Sequence, residues 1–138
     1  METTFLTPVL ALVSWTLIVW FWMYARRIPA MNAAGLDPQE AQHPGSLNVL
    51  PQKARFAADN YNHLHEQPTI FYALIIYSHL AGVADELNLT LAWAYVGLRV
   101  LHSLVQITIN KVTLRFTLFA VSTLVLVVIA IRNILAVL

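Results

Sequence analysis

Leu98-Arg99-Val100-Leu101-His102-Ser103-Leu104-Val105-Gln106-Ile107-Thr108-Ile109-Asn110 is the stretch on which the fold turns. Its polar members Arg99, His102, Ser103, Gln106 and Asn110 stand at offsets of 0, 3, 4, 7 and 11, which is one face of a helix. The residues between them are Val, Leu and Ile, with Thr108 the one exception. A soluble amphipathic helix shows an apolar stripe on a polar cylinder; this segment is the inverse. A lipid-facing Arg at mid-membrane costs about 2.5–3.5 kcal/mol on insertion scales, so the stripe must face protein or a wet cavity.

The rest of the chain agrees. Of 138 residues, 59% are hydrophobic and 11% charged, against about 25% charged in an ordinary soluble domain. A chain this small needs more polar surface than that to live in water, and it is too apolar to stay disordered. The net charge of +1 leaves no basic footprint for nucleic acid. With no Cys, disulfides and protein thiolates are excluded. His63 and His65, two apart, point to different helix faces, and there is no HExxH motif, so no metal site is expected.

Four apolar runs predict an all-α fold, an integral membrane four-helix bundle. The chain reads as one domain, 1–138, with spans of about 6–25, 53–84, 87–109 and 114–136 and a cytoplasmic loop of about 28–51. That loop holds Pro29, Pro38, Pro44, Pro51, Gly35 and Gly45, hence its reading as non-helical. Glu2 precedes the first run and Arg26 and Arg27 follow it, the reverse of a signal peptide. Arg26, Arg27, Lys53 and Arg55 flank the first connection, Lys111 and Arg115 the third, and only Asp85 and Glu86 the second. Positive-inside then places both termini outside, which is the periplasm if the host is a bacterial inner membrane. Trp20, Trp22 and Tyr24 read as an inner interfacial belt, and Arg132 as snorkelling to the outer interface.

The second helix has its own stripe: Arg55, Asp59, Asn62, His63 and Glu66, at offsets of 0, 4, 7, 8 and 11. In antiparallel helices, counting inward from Arg55 and Asn110 puts Glu66 and Arg99 both about 16 Å deep. His63 then matches His102, and Asp59 matches Gln106. Glu66 and Arg99 are expected to be ionic partners, since neither is stable alone in hydrocarbon. Pro68 is expected to kink the helix, freeing carbonyls that need other partners and opening a polar pocket beside Glu66. By residue chemistry alone, Arg115 reads as a positive-inside anchor or as a base favouring a nearby thiolate. His102 reads as a ligand donor or as an interhelical lock.

The stretch Ala58 to Tyr72, with Asp59, Asn62, His63, Glu66 and Pro68, resembles a known pattern when taken with Leu98 to Asn110 and the following Arg115-Phe116. Together they resemble the MAPEG family, the membrane-associated proteins in eicosanoid and glutathione metabolism, in its bacterial branch. The resemblance covers all four spans. It implies assembly as a homotrimer, with glutathione as cofactor bound between subunits near the cytoplasmic side. It would place Asn62, His63 and Glu66 at the glutathione backbone, with Arg99, His102 and Gln106 on the facing helix. Arg115 would be the catalytic base-bearing residue that activates the thiol, and Arg26 or Arg27 would hold a glutathione carboxylate. The pattern departs from glutathione-using members in the second helix, where Asp59 and Asn60 or Asn62 stand in place of two arginines, and at Gln106, where Tyr is common. Losing two bases weakens the case for an anionic ligand.

Two functions follow. One is a glutathione transferase or peroxidase that takes a lipophilic electrophile or hydroperoxide from the membrane and thiol from the cytoplasm. The alternative is a non-catalytic protein of the same fold that holds membrane lipid or serves as scaffold or accessory subunit of a membrane complex. A transporter or channel fits less well, because only two spans carry polar stripes and there is no internal repeat.

Overall fold

The computed structural model describes residues 2–37, 39, 47 and 49–138. Among these there are five helices and no strand: α1 (Glu2–Ala33), α2 (Gln52–His63), α3 (Gln67–Leu80), α4 (Glu86–Ile107) and α5 (Val112–Val137). They form four rods, because α2 and α3 are two parts of one broken rod and α1 packs along both. Two helices, over Thr4–Ala33 and Val112–Val137, are long and apolar enough to cross a membrane by composition and length.

The core is built from one stripe of each rod. On α1 the buried positions are Phe5, Pro8, Leu12, Thr16, Val19 and Met23, steps of three or four residues. Leu12 and Val19 meet Phe71 and Ile75 of α3, Tyr95 and Val96 of α4, and Leu126 and Ile129 of α5 in one cluster. Phe71 and Tyr95 stack with centroids 4.5 Å apart and planes at 13°, worth about 0.5–1.5 kcal/mol beyond the area they bury. The outward faces of α1 and α5 are also apolar: Leu10, Leu17, Phe21, Phe116, Leu124 and Leu135 are all exposed. An apolar exterior around a partly polar interior is what a hydrocarbon solvent selects.

Three expectations about the rods need correction. First, α1 does not stop before Pro29 but continues to Ala33. Pro29 removes one hydrogen bond, while the actual stop is Gly35. Its φ of +69° lets Gly35 N donate to Asn32 O and Leu36 N to Met31 O, an ending that favours glycine. The rest of the expected loop lies partly outside the described residues, at 38, 40–46 and 48. Second, the span expected at 53–84 is not one kinked helix. It breaks at 64–66, before Pro68, which sits in the first turn of α3, where a missing N–H costs nothing. At the break, His65 N and Glu66 N donate to carbonyls three residues back, Asn62 O and His63 O, and Glu66 leaves the helical region at φ −92°, ψ −95°.

Third, Arg132 does not simply reach toward the interface. Its Nη2 lies 2.6 Å from the Asp85 carboxylate, and its Nε donates to Asn88 Oδ1 at 2.8 Å. Asn88 donates on to Asn133, and Asn133 to Ser78. Asn88, Asn133 and Ser78 are all buried. Asp85 also caps α4, accepting from Asn88 N at 2.8 Å. This network ties α3, α4 and α5 at the Asp85 end of the bundle. It holds by hydrogen bonding where apolar contact gives no advantage over lipid.

Candidate functional site

The opposite end, where α4 turns into α5, is built differently. The stripe of α4 faces inward: Arg99, His102, Ser103 and Gln106 are buried together with Tyr95 one turn earlier. Arg99 is only 2% exposed. One of its nitrogens, Nη2, donates to His63 O at 3.3 Å, the carbonyl at the end of α2. Its Nε and Nη1 are buried with no hydrogen-bond partner among the described residues. The same holds for His102 Nδ1, Ser103 Oγ, Gln106 Nε2 and both polar atoms of the Asn60 side chain. Buried polar groups normally find partners, so these atoms mark this end as the candidate site.

A cavity of about 290 Å³ opens beside the break in the α2–α3 rod. Its polar lining is His63, Glu66, Gln67, Arg99, His102 and Arg115; its apolar lining is Val112, Phe116 and Phe119 of α5. The polar wall carries two guanidinium groups against one carboxylate, so an anionic group is the favoured occupant. The apolar wall belongs to the helix whose Phe116 is also exposed on the bundle's outer face. A polar chamber with one wall toward the surrounding hydrocarbon suits a ligand with a charged part and a greasy reaction partner.

Five of the nine residues singled out from the sequence therefore line one cavity: His63, Glu66, Arg99, His102 and Arg115. Gln106 sits behind them, its Oε1 3.1 Å from His63 Nδ1. The depth matching of His63 with His102 holds, with ring centroids 6.2 Å apart. The match of Asp59 with Gln106 does not, since Asp59 is exposed and His63 takes that partner instead. The expected Glu66–Arg99 ion pair is also absent. Both line the cavity, but among the described residues the one salt bridge is Arg132–Asp85. The reason is the helix break: Glu66 lies outside α2, is exposed, and no longer continues the α2 stripe. Arg99 instead adds a second donor to the His63 carbonyl, which already accepts from Glu66 N.

The other three lie elsewhere in the chain. Asn62 is exposed. Arg26 lies over the Trp22 ring at 4.3 Å, and Arg27 lies near Tyr24 at 5.8 Å from its centroid, an aromatic–basic collar at the end of the apolar part of α1. None of these three lines the cavity.

Gln67, Tyr95 and Thr123 were not singled out from the sequence. Tyr95 Oη donates to Gln67 Oε1 at 3.0 Å, and Gln67 Nε2 donates to Thr123 Oγ1 at 2.8 Å. This relay closes the cavity on the side of α3, α4 and α5. One signal was present: Tyr95 stands four residues before Arg99 and so extends its stripe by a turn. A second cavity, about 320 Å³, lies at the Asp85 end among Phe5, His79, Asp85, Glu86 and Leu89 and holds none of the candidate residues.

No curated protein and no solved structure matches the chain. The MAPEG family model matches residues 5–135, nearly the whole length. That match spans every helix and both walls of the cavity, and the chain belongs to the MAPEG family, a family of membrane proteins that includes glutathione transferases and related proteins.

Proposed function

We propose that this protein is a membrane glutathione transferase or peroxidase acting on a lipophilic electrophile or hydroperoxide. One observation carries the reading: a guanidinium buried to 2% exposure, with Nε and Nη1 unpartnered, in the wall of a cavity that also holds Arg115 and His102. Leaving a buried charge in that condition costs several kcal/mol, an arrangement better suited to receiving an anion than to packing a core. These donors fit the carboxylates of glutathione. Bound there, glutathione would supply a thiol nucleophile.

The roles of the chain's own residues follow from their chemistry. Arg99 places its positive charge in the wall of the cavity, where a carboxylate would be favoured. His102 adds a donor or acceptor at Nδ1. Arg115, at the start of α5, favours a negative charge at the thiol position by its fixed positive charge. His63 is oriented by Gln106. Phe116 and Phe119 admit an apolar partner from the lipid side and keep water from it.

The reading includes a four-span topology with both termini in the periplasm of a bacterial inner membrane, and assembly as a homotrimer. In such an assembly the exposed Asn62, Arg26 and Arg27 would be available to a neighbour's cavity, which would offset the missing arginines of α2. The alternative, a lipid-holding accessory subunit, draws on the apolar wall of Val112, Phe116 and Phe119 and on Asp59 and Asn62 standing where bases are common.

Calorimetry of glutathione with detergent-purified protein, with and without Arg115→Ala, separates the two. The enzyme reading expects binding in the micromolar to millimolar range and turnover of a chlorodinitrobenzene-type electrophile that Arg115→Ala abolishes. No binding at millimolar glutathione overturns it.

A further inference from the structure

We propose that Asn110 is the positioning residue for Arg115, fixing which nitrogens of that guanidinium face the cavity. Asn110 is the one non-glycine residue with positive φ, +46°, among the described residues. The conformation comes from ending α4: Asn110 N reaches back to Val105 O at 2.7 Å, and Thr108 N reaches the same carbonyl at 3.3 Å. Glycine is the usual occupant of such a position, and Asn is the side chain that tolerates it best. Glycine, however, would have no side chain. Asn110 uses its own: Oδ1 accepts a hydrogen bond from Arg115 Nη1 at 2.7 Å, in the short range for a charge-assisted bond.

The consequence is mechanical and chemical. Arg115 N is bonded to Lys111 O at 2.9 Å in the first turn of α5, so the residue's backbone and its guanidinium are both tied to the α4–α5 turn. With Nη1 committed to Asn110, Nε and Nη2 remain for the cavity that Arg115 lines. The charge is kept whole, because a neutral amide takes the proton donor without cancelling the positive field. An Asp at the same place would hold the guanidinium equally well but neutralise it. Whether Arg115 then acts on a thiol rests on the function proposed above; its placement does not.

Two variants separate the elements of the proposal. Asn110→Gly keeps the backbone conformation and removes the acceptor. Asn110→Asp keeps the acceptor and removes the net charge. The first readout is independent of any ligand: the rate at which phenylglyoxal modifies Arg115 in detergent-purified protein, followed by mass spectrometry. Asn110→Gly is expected to speed modification by about fivefold or more, the loss of one short charge-assisted hydrogen bond, and Asn110→Asp to leave it slow. The second readout is the ultraviolet thiolate absorbance of bound glutathione, with kcat and the glutathione KM. Asn110→Gly should lower the thiolate signal and kcat by about tenfold with KM within about threefold. Asn110→Asp should lose the thiolate signal while keeping Arg115 shielded. Equal phenylglyoxal rates in wild type and Asn110→Gly overturn the placement. Slow modification in wild type with fast modification in Asn110→Gly, but no thiolate in wild type, upholds the placement and sinks the function it was argued to serve.

Discussion

Arg99→Met is the substitution that best separates a ligand-binding guanidinium from a structural one. Met is long, flexible and uncharged, and it fills the channel that the Arg side chain occupies. In the free protein Arg99 has one hydrogen bond, to His63 O at 3.3 Å, and two nitrogens without a partner. Each unsatisfied buried donor costs about 1–3 kcal/mol, and a hydrogen bond from a charged group returns about 1.5–3 kcal/mol at good geometry, less at this length. The exchange should therefore stabilise the ligand-free protein, by about 1–3 kcal/mol, in line with buried charges replaced by apolar groups elsewhere. With ligand the sign reverses. Losing two charge-assisted bonds at about 1.5–3 kcal/mol each weakens glutathione binding at least about 100-fold, at 1.4 kcal/mol per tenfold. The assay is thermal unfolding in detergent with and without millimolar glutathione. Wild type should gain stability from glutathione, while Arg99→Met should start higher and gain nothing. A variant that unfolds well below wild type without ligand would show the guanidinium to be satisfied and structural. A variant that still responds to glutathione would remove Arg99 from the site.

Three further outcomes follow from the geometry. Glu66→Gln should change stability by less than about 1 kcal/mol, because Glu66 is exposed and makes no ion pair; a loss of about 3 kcal/mol or more in a thermal melt would restore the direct pair with Arg99. Tyr95→Phe removes the hydroxyl that holds Gln67 and should cost about 1–2 kcal/mol by leaving Gln67 Oε1 unpaired, with ligand affinity reduced alongside if the Gln67 relay shapes the cavity; unchanged melting and binding would dismiss the relay. Asn88→Leu breaks the bonds to both Arg132 and Asn133. Interhelical hydrogen bonds in membrane proteins average about 0.6 kcal/mol, so a loss near about 1 kcal/mol in unfolding free energy is expected, with glutathione binding unaffected because the network lies at the other end of the bundle.

The two polar ends of the bundle have opposite characters. At the Asp85 end the buried Asn88, Asn133 and Ser78 are joined to one another and to Arg132. At the Asn110 end Asn60, Arg99, His102, Ser103 and Gln106 keep orphaned atoms. The first arrangement ties helices together, and the second leaves donors and acceptors for a partner or ligand. That contrast makes the Asn110 end the candidate site without reference to relatives.

Much of this was legible along the chain. The apolar composition, the helical spacing of the Arg99 stripe and the shortage of charge determined an all-α membrane protein, because periodicity and transfer free energy act locally and need no knowledge of neighbours. The convergence of His63, Glu66, Arg99 and His102 was expected from matched depth, and depth is set by the rise of a helix, whereas Arg115 was expected there only from the resemblance. What the sequence could not decide depended on interruptions in that regular rise. The break at 64–66 took Glu66 out of the α2 stripe, so it lines the same cavity as Arg99 without a direct ion pair, while Arg99 donates to the His63 carbonyl. Gly35, and not Pro29, ended α1, because the carbonyls of Met31 and Asn32 found partners only past a left-handed residue. Arg132 found Asp85 across 47 residues of chain, a pairing invisible to any local pattern. Only the packed rods decided which polar groups were satisfied and which were left open, and it is the open ones that mark the candidate site.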